Sequence, residues 1–439
     1  MKTYPKYKNS GIDWIGVIPA HWNVLRVKDV AEIFAGATPS SKVNSYWDGD
    51  VIWVTPADMT DFGYITQGAT NISKLGYDSC GTHLVPAGSI IISSRAPIGK
   101  VNIATQPLCT NQGCKCLVLK DNINGKYLAY YLYNENSNID ACGQGTTFKE
   151  LSLKNLVCYK IIFPPIEEQR AIAAYLDEKC SAIDDQVALL DKKLNAYERL
   201  KTSIINNAVT HGLNPDVEMR PSGIDWIGDI PAHWERLRLK DVSYMYSGLT
   251  GKSGDDFRCD DDTKTKPFVP FTNILNNTRI DFNQFNRVVM TDDEQQNRVS
   301  ENDLIFLMSS EDYESIAKSA VVIGDPGEVY LNSFCRGLHF TSNKVFAPFV
   351  NYQLNSEKYH DALRFEARGF TRINIKIDRV FSQFITIPPI EEQRAIATYL
   401  DEKCDEIDAA IENIGKQIDA YKRLKRALIN EVVTGKRAV

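Results

Sequence analysis

The chain has 439 residues, 43% hydrophobic and 24% charged, with a formal net charge of −6. That is globular composition with length enough for two cores. No apolar run reaches the roughly 18–20 residues of a membrane span, and the opening MKTYPKYKNS lacks a signal-peptide apolar stretch. Ten cysteines without a CxxC pair point to reduced thiols in the cytoplasm. Cys109, Cys114 and Cys116 cluster, but no second close pair or nearby histidine completes a zinc set, so buried free cysteine is expected.

The leader SGIDWIG followed by IPAHW, at Ser10–Trp22, returns at Ser222–Trp234. An internal repeat governs how everything else is read. His21 and His233 flank the repeated tryptophans and are expected to pack each module onto a neighbouring helix.

After the first leader, residues 31–163 read as mixed structure. Val51–Thr55, Ser89–Ser94, Lys100–Ala104 and Cys114–Lys120 are β-branched or alternating runs bounded by Gly, Pro and Asn, and predict strands. Asn124–Glu135 predicts a helix. Two segments carry donors suited to phosphates or base edges. In SSRAPIGKV (Ser93–Val101), Arg95 stands on a tight turn from which it could reach a guanine bidentately, with Lys100 beyond it. In GQGTTFKELSLKNL (Gly143–Leu156), a glycine permits close backbone approach, and Thr146, Thr147, Lys149 and Lys154 follow. A surface hairpin in the first case, and a turn into an amphipathic strand in the second, are the competing structural explanations.

PPIEEQRAIAAYLDEKC opens the next element at Pro164 and returns as PPIEEQRAIATYLDEKC at Pro388. Pro165 and Pro389 are expected in the first helical turn, with Glu167, Glu168, Glu391 and Glu392 set favourably against the helix dipole. One heptad line runs Leu176, Ile183, Leu190, Tyr197 and Ile204; its copy runs Leu400, Ile407, Ile414, Tyr421 and Leu428. Companion lines start at Ala173 and Ala397 and are broken by Lys201 and Lys425. A strict period of seven predicts two long helices in a left-handed coiled coil. At about 1.5 Å per residue each would span about 65 Å and stop near Gly212 or Gly435. Antiparallel pairing is favoured, because related halves would then sit about a two-fold axis.

Residues 243–387 form a second module. Pro267–Asn273, Asp303–Ser310, Ser319–Gly324 and Phe384–Pro388 predict strands, and Phe349–Ala367 predicts a helix where the first module has one. RGFTRINIKIDRV (Arg368–Val380) stands where GQGTTFKELSLKNL stood. Residues 358–379 carry six basic side chains (Lys358, Arg364, Arg368, Arg372, Lys376, Arg379) against three acidic ones, whereas residues 31–163 carry ten of each. Arg364, Arg368, Thr371, Arg372 and Lys376 are the candidate contacts of this module. The fold expected is α+β: two modules of short strands and helices, separated by two long helices forming an antiparallel intramolecular coiled coil. Its segments would be 1–163, 164–212, 213–387 and 388–439.

Catalytic motifs are missing. SGLTGKS resembles the end of a phosphate loop, but Tyr246 stands where the first glycine belongs. Asp262–Lys264, in an acidic run, has the ending of a metal-dependent nuclease motif but no counterpart in the first module, which favours a solvated loop. None of the six histidines lies in a ligand-spaced cluster, and no metal site is expected.

The doubled PPIEEQRAIAxYLDEK block, the heptad helices ending in YxRLK, the paired leaders, GATPSSKVNSYWDGDVIWVTPADM (Gly36–Met59) and ISSRAPIG (Ile92–Gly99) together resemble the specificity subunit of type I restriction–modification enzymes. The likeness spans essentially the full chain, although the second module lacks the YWDGD and SRAPIG strings. It implies two target recognition domains, each reading half of an interrupted double-stranded DNA site, with the coiled coil setting the spacer. It also implies two methyltransferase subunits carrying S-adenosylmethionine, and two restriction subunits using ATP and Mg. This chain would hold no cofactor and perform no reaction. Basic partners would offset its acidic balance, since DNA affinity depends on neutralising phosphates. The alternatives are a self-sufficient methyltransferase or nuclease, or a coiled-coil assembly protein that never meets DNA.

Overall fold

The computed structural model describes residues 3–144, 149–258, 264–291 and 293–439. It divides into two compact units, Met1–Asp191 with Lys416–Val439, and Lys192–Gly415. Each unit therefore holds one module, the beginning of one long helix and the end of the other.

In the first unit a five-stranded sheet runs in the order Ala31–Ala35, Cys114–Leu119, Ile90–Ser93, Val101–Ala104, Phe62–Ile65. Its neighbours are antiparallel except the last pair. Alternate residues of the central strand explain its unbroken apolar run. Ile90 and Ile92 join the core beneath the helices, while Ile91 joins a second core with Val54, Met59, Cys114 and Cys116. A strand buried on both faces needs no polar side. A smaller sheet, Cys109–Thr110, Trp47–Val54 and Thr70–Ile72, flanks it.

The second unit repeats the plan with other residues. Ser243–Ser247, Cys335–Phe340, Leu304–Leu307 and Ser319–Val321 form its larger sheet; Tyr330–Leu331, Thr265–Val269 and Asn286–Val289 form the smaller one. In each unit the leader strand pairs with the strand entering the long helix: Asn23–Arg26 with Lys160–Phe163, and Glu235–Arg238 with Phe384–Ile387. The expected α+β class and shared module fold are thus present.

Details differ from expectation. Of Pro267–Asn273 only the first part is strand; from Phe271 the chain turns into the helix Phe271–Asn276. Phe349–Ala367 is two helices, Ala347–Asn355 and Glu357–Glu366, because Ser356 is extended and turns its hydroxyl back onto the Gln353 carbonyl at 2.6 Å. The segments before the PPIEEQR blocks contain short helices, Leu153–Cys158 and Ile377–Phe381, ahead of their strands.

The long helices are Ile166–His211 and Ile390–Val433. Pro165 and Pro389 lie just outside the first turn, and their carbonyls accept from Gln169 and Gln393 at 3.0 and 3.1 Å. Gly212 and Gly435, at φ +77° and +73°, end the helices in the left-handed region that favours glycine. In the first unit Ile172, Ala173, Leu176 and Cys180, near the start of one helix, share a core with Leu428, Ile429, Val432 and Val433, at the end of the other. In the second, Ile396, Ala397 and Leu400 share a core with Ala208 and Val209. Start against end in both units makes the coiled coil antiparallel. Leu176, Leu400, Ile407 and Ile414 are buried; Ile183, Leu190, Tyr197 and Tyr421 are half-buried, as seam positions of a two-stranded coil are.

Lys201 and Lys425, which break the companion heptad lines, reach across to carboxylates. Lys201 Nζ lies 2.6 and 2.7 Å from the Asp408 oxygens, and Lys425 Nζ equally close to those of Asp184. Among the described residues no helix is long and apolar enough to cross a membrane.

Candidate nucleic-acid interface

The repeated block joins module to helix, residue by residue. Glu168 lies 2.5 Å from His21 Nε2 and accepts from the indole of Trp22 at 2.9 Å. Glu392 does the same for His233 at 2.7 Å and Trp234 at 3.1 Å. Both tryptophans are fully buried, so their N–H groups need that acceptor. Gln169 accepts from the backbone N–H of Asn124 at 2.9 Å, and Gln393 from that of Phe346 at 2.8 Å. Tyr130 donates to Asp177 at 3.0 Å, and Tyr352 to Asp401 at 2.7 Å. The block is therefore a docking surface presented twice, and the packing role expected of His21 and His233 is present.

Each module then carries a loop-closing residue pair in the same place. Gln144 and Glu150 exchange two backbone hydrogen bonds at 2.9 Å, as do Arg368 and Asn374. Each loop is tied to the end of a central strand. Leu151 N–H donates to Ser94 at 2.8 Å in one module, and Ile375 N–H to Met308 at 3.1 Å in the other.

In the first module this brings Arg95, Lys149 and Glu150 together. Arg95 pairs with Glu150 at 3.1 Å, and Lys115, almost buried, approaches the same carboxylate at 3.6 Å. Lys149 pairs with Asp140 at 2.6 Å. Lys154 is exposed on the short helix, without an ion pair among the described residues. Lys100 stands apart: its ammonium donates to the carbonyls of Pro56 and Met59 at 3.1 and 2.8 Å. Thr146 and Thr147 lie outside the described residues.

The second module is more open. Arg364 is held by Glu314 and Asp361 at 2.7 and 2.9 Å, whereas Arg368, Arg372 and Lys376 are exposed with no ion pair among the described residues. Arg368 donates to the carbonyls of Phe365 and Ala367 at 2.5 and 2.7 Å. Arg372 lies over the Phe334 ring, 4.2 Å from its centroid. Thr371 is exposed between them. At the tip stands a residue that sequence reasoning passed over, Phe370, 99% exposed. An aromatic beside Gly369 in an otherwise polar loop was the available signal.

Two other sequence features resolve differently. A short strand, Ser243–Ser247, leads into SGLTGKS, and Lys252 is nearly buried with its ammonium 2.5 Å from Glu294. It is spent on that carboxylate. Asp262 lies outside the described residues. Cys109, Cys114 and Cys116 are buried, and burial pushes the thiols of Cys109 and Cys116 up to about 12 and about 11. Such thiols are poor ligands and nucleophiles at neutral pH.

The model of the type I restriction modification DNA specificity domain matches residues 19–198 and again 231–419. The chain belongs to this family. It is 28% identical over 438 residues to the type I restriction enzyme MjaIX specificity subunit of Methanocaldococcus jannaschii, covering 96% of this chain and 94% of that protein. With the EcoBI specificity subunit of Escherichia coli it shares 21% over 436 residues, 96% and 87% of the two chains. Among solved structures, a chain from work on complex assembly and conformational transition of the type I R-M system superposes with TM-score 0.71 at 15% identity, over 95% of this chain and 98% of that one. The HsdS subunit from Thermoanaerobacter tengcongensis gives 0.54 at 16%, over 96% and 98%. Those two likenesses carry the fold. The DNA-specificity role, without catalysis in this chain, rests on family membership and the full-length relatives.

Proposed function

We propose that this chain reads an interrupted duplex DNA sequence, residues 1–163 recognising one half and residues 213–387 the other, on a frame made by helices 164–212 and 388–439. The observation that carries the reading is the pair of like-folded modules whose loops occupy the same place but carry different side chains. Equal scaffolds carrying unequal side chains suit two dissimilar half-sites. Arg95, Thr146, Thr147, Lys149 and Lys154 serve the first half, and Arg364, Arg368, Thr371, Arg372 and Lys376 the second; Lys100, its ammonium bonded to the Pro56 and Met59 carbonyls, is not among them. Phosphate contacts hold the register, and the remaining donors read base edges in the major groove, where all four base pairs differ. Arg95 is available for this role because an exposed ion pair contributes at most about 1 kcal/mol and a DNA group can displace it.

The chain acts in the cytoplasm within an assembly of two methyltransferase and two restriction subunits. These carry S-adenosylmethionine, and ATP with Mg, respectively. The paired helices set the number of unread base pairs between the half-sites. Removing one heptad from each helix tests this, with methylated positions mapped across the genome. The spacer changes while both half-sites persist; an unmoved spacer rules the helices out as its determinant.

A further inference from the structure

We infer that Phe370 is a wedge that enters the DNA duplex between base pairs of the half-site read by the second module; this rests on the proposed DNA-reading role. Phe370, at 99%, is the most exposed large apolar side chain among the described residues. Flexibility does not explain it. The loop is closed by the paired backbone bonds of Arg368 and Asn374, and Tyr313 donates its hydroxyl to the Gly369 carbonyl at 3.2 Å. Gly369, at φ +151°, packs so tightly that an added Cβ would lie 2.0 Å from the Arg372 carbonyl. The loop is thus a built turn that holds the ring outward.

The surroundings identify the occupant. Arg368 and Arg372 stand two residues to either side of Phe370 in the chain, their guanidiniums over the Phe365 and Phe334 rings at 6.0 and 4.2 Å, and neither is in an ion pair among the described residues. Two guanidiniums without a carboxylate partner on the same loop favour a polyanionic occupant. Duplex DNA offers phosphates to both and a stacked step for the ring. Apolar wedges framed by basic residues unstack and kink duplexes in this way.

The test uses this chain complexed with its methyltransferase subunits, and duplexes of the methylated sequence carrying 2-aminopurine at successive adenines. Wild-type complex raises the fluorescence at one step of one half-site. Phe370→Ala abolishes that rise and weakens binding about tenfold, and Phe370→Leu retains only part of it. The exposed position makes both variants neutral to folding. A Phe370→Ala complex with unchanged fluorescence and affinity overturns the inference, as does one that fails to assemble with methyltransferase, which would make the ring a protein contact. Failure of the wild-type complex to bind the duplex defeats the DNA-reading proposal itself.

Discussion

Lys201 and Asp408 meet head to head, the ammonium within 2.7 Å of both carboxylate oxygens, from helices that begin 224 residues apart in sequence. Moving each residue to its partner copy gives Lys425 and Asp184, which meet at the same distances. Repeat positions 17 residues apart, as Asp184 and Lys201 are, can meet in both directions only when the helices run antiparallel. A lysine in a seam position fixes register at some cost in stability.

A double-mutant cycle on Lys201→Ala and Asp408→Ala is expected to give a coupling of about 0.5 kcal/mol, because both groups are partly solvated. Lys201→Leu with Lys425→Leu is expected to raise the melting temperature, since it completes the apolar line. Chemical denaturation reads the first and calorimetry the second.

Glu392 tests what the repeated block is for. Glu392→Ala leaves the Trp234 indole N–H buried without an acceptor and is expected to cost about 1–3 kcal/mol. Glu392→Gln keeps an acceptor oxygen and should cost less. Calorimetry distinguishes them, and Glu168→Ala should behave alike in the first module through Trp22.

His360 supplies a pH dependence. Burial lowers its pKa below the ordinary value; Arg364 and Lys318 push the same way, while the bond to the Ile316 carbonyl and nearby Asp361 oppose. The fold therefore prefers the neutral ring. Its contribution is fully present above the unfolded value, roughly 6.5, and is lost as pH falls towards the lower folded value. Wild type should lose more stability between about pH 7 and pH 5.5 than His360→Gln, which keeps a donor for Ile316. Equal losses would remove His360 from the account.

The frame was legible because it is written twice and in strong periods. Heptads from Leu176 and Leu400 name the helices, and runs such as Ser89–Ser94 name buried strands. Boundaries were less legible. Phe271–Asn273 reads as the end of a strand by composition but turns into helix once Pro270 ends that strand, and Ser356 breaks a helix through a side-chain bond that no periodicity reveals. The interface was least legible, because it depends on ion-pair partners. Arg364 and Arg372 look alike in sequence, yet one is held by two carboxylates and the other lies over Phe334. Phe370 was overlooked because exposure belongs to the folded loop, not to the residue type.

The most direct test exchanges residues 31–163 for the corresponding module of another specificity subunit and maps methylated adenines in cells carrying the hybrid with its methyltransferase partner. One half-site should be replaced while the other half-site and the spacer stay as they were. Replacement of both halves, or of neither, would contradict two independent readers on a common frame.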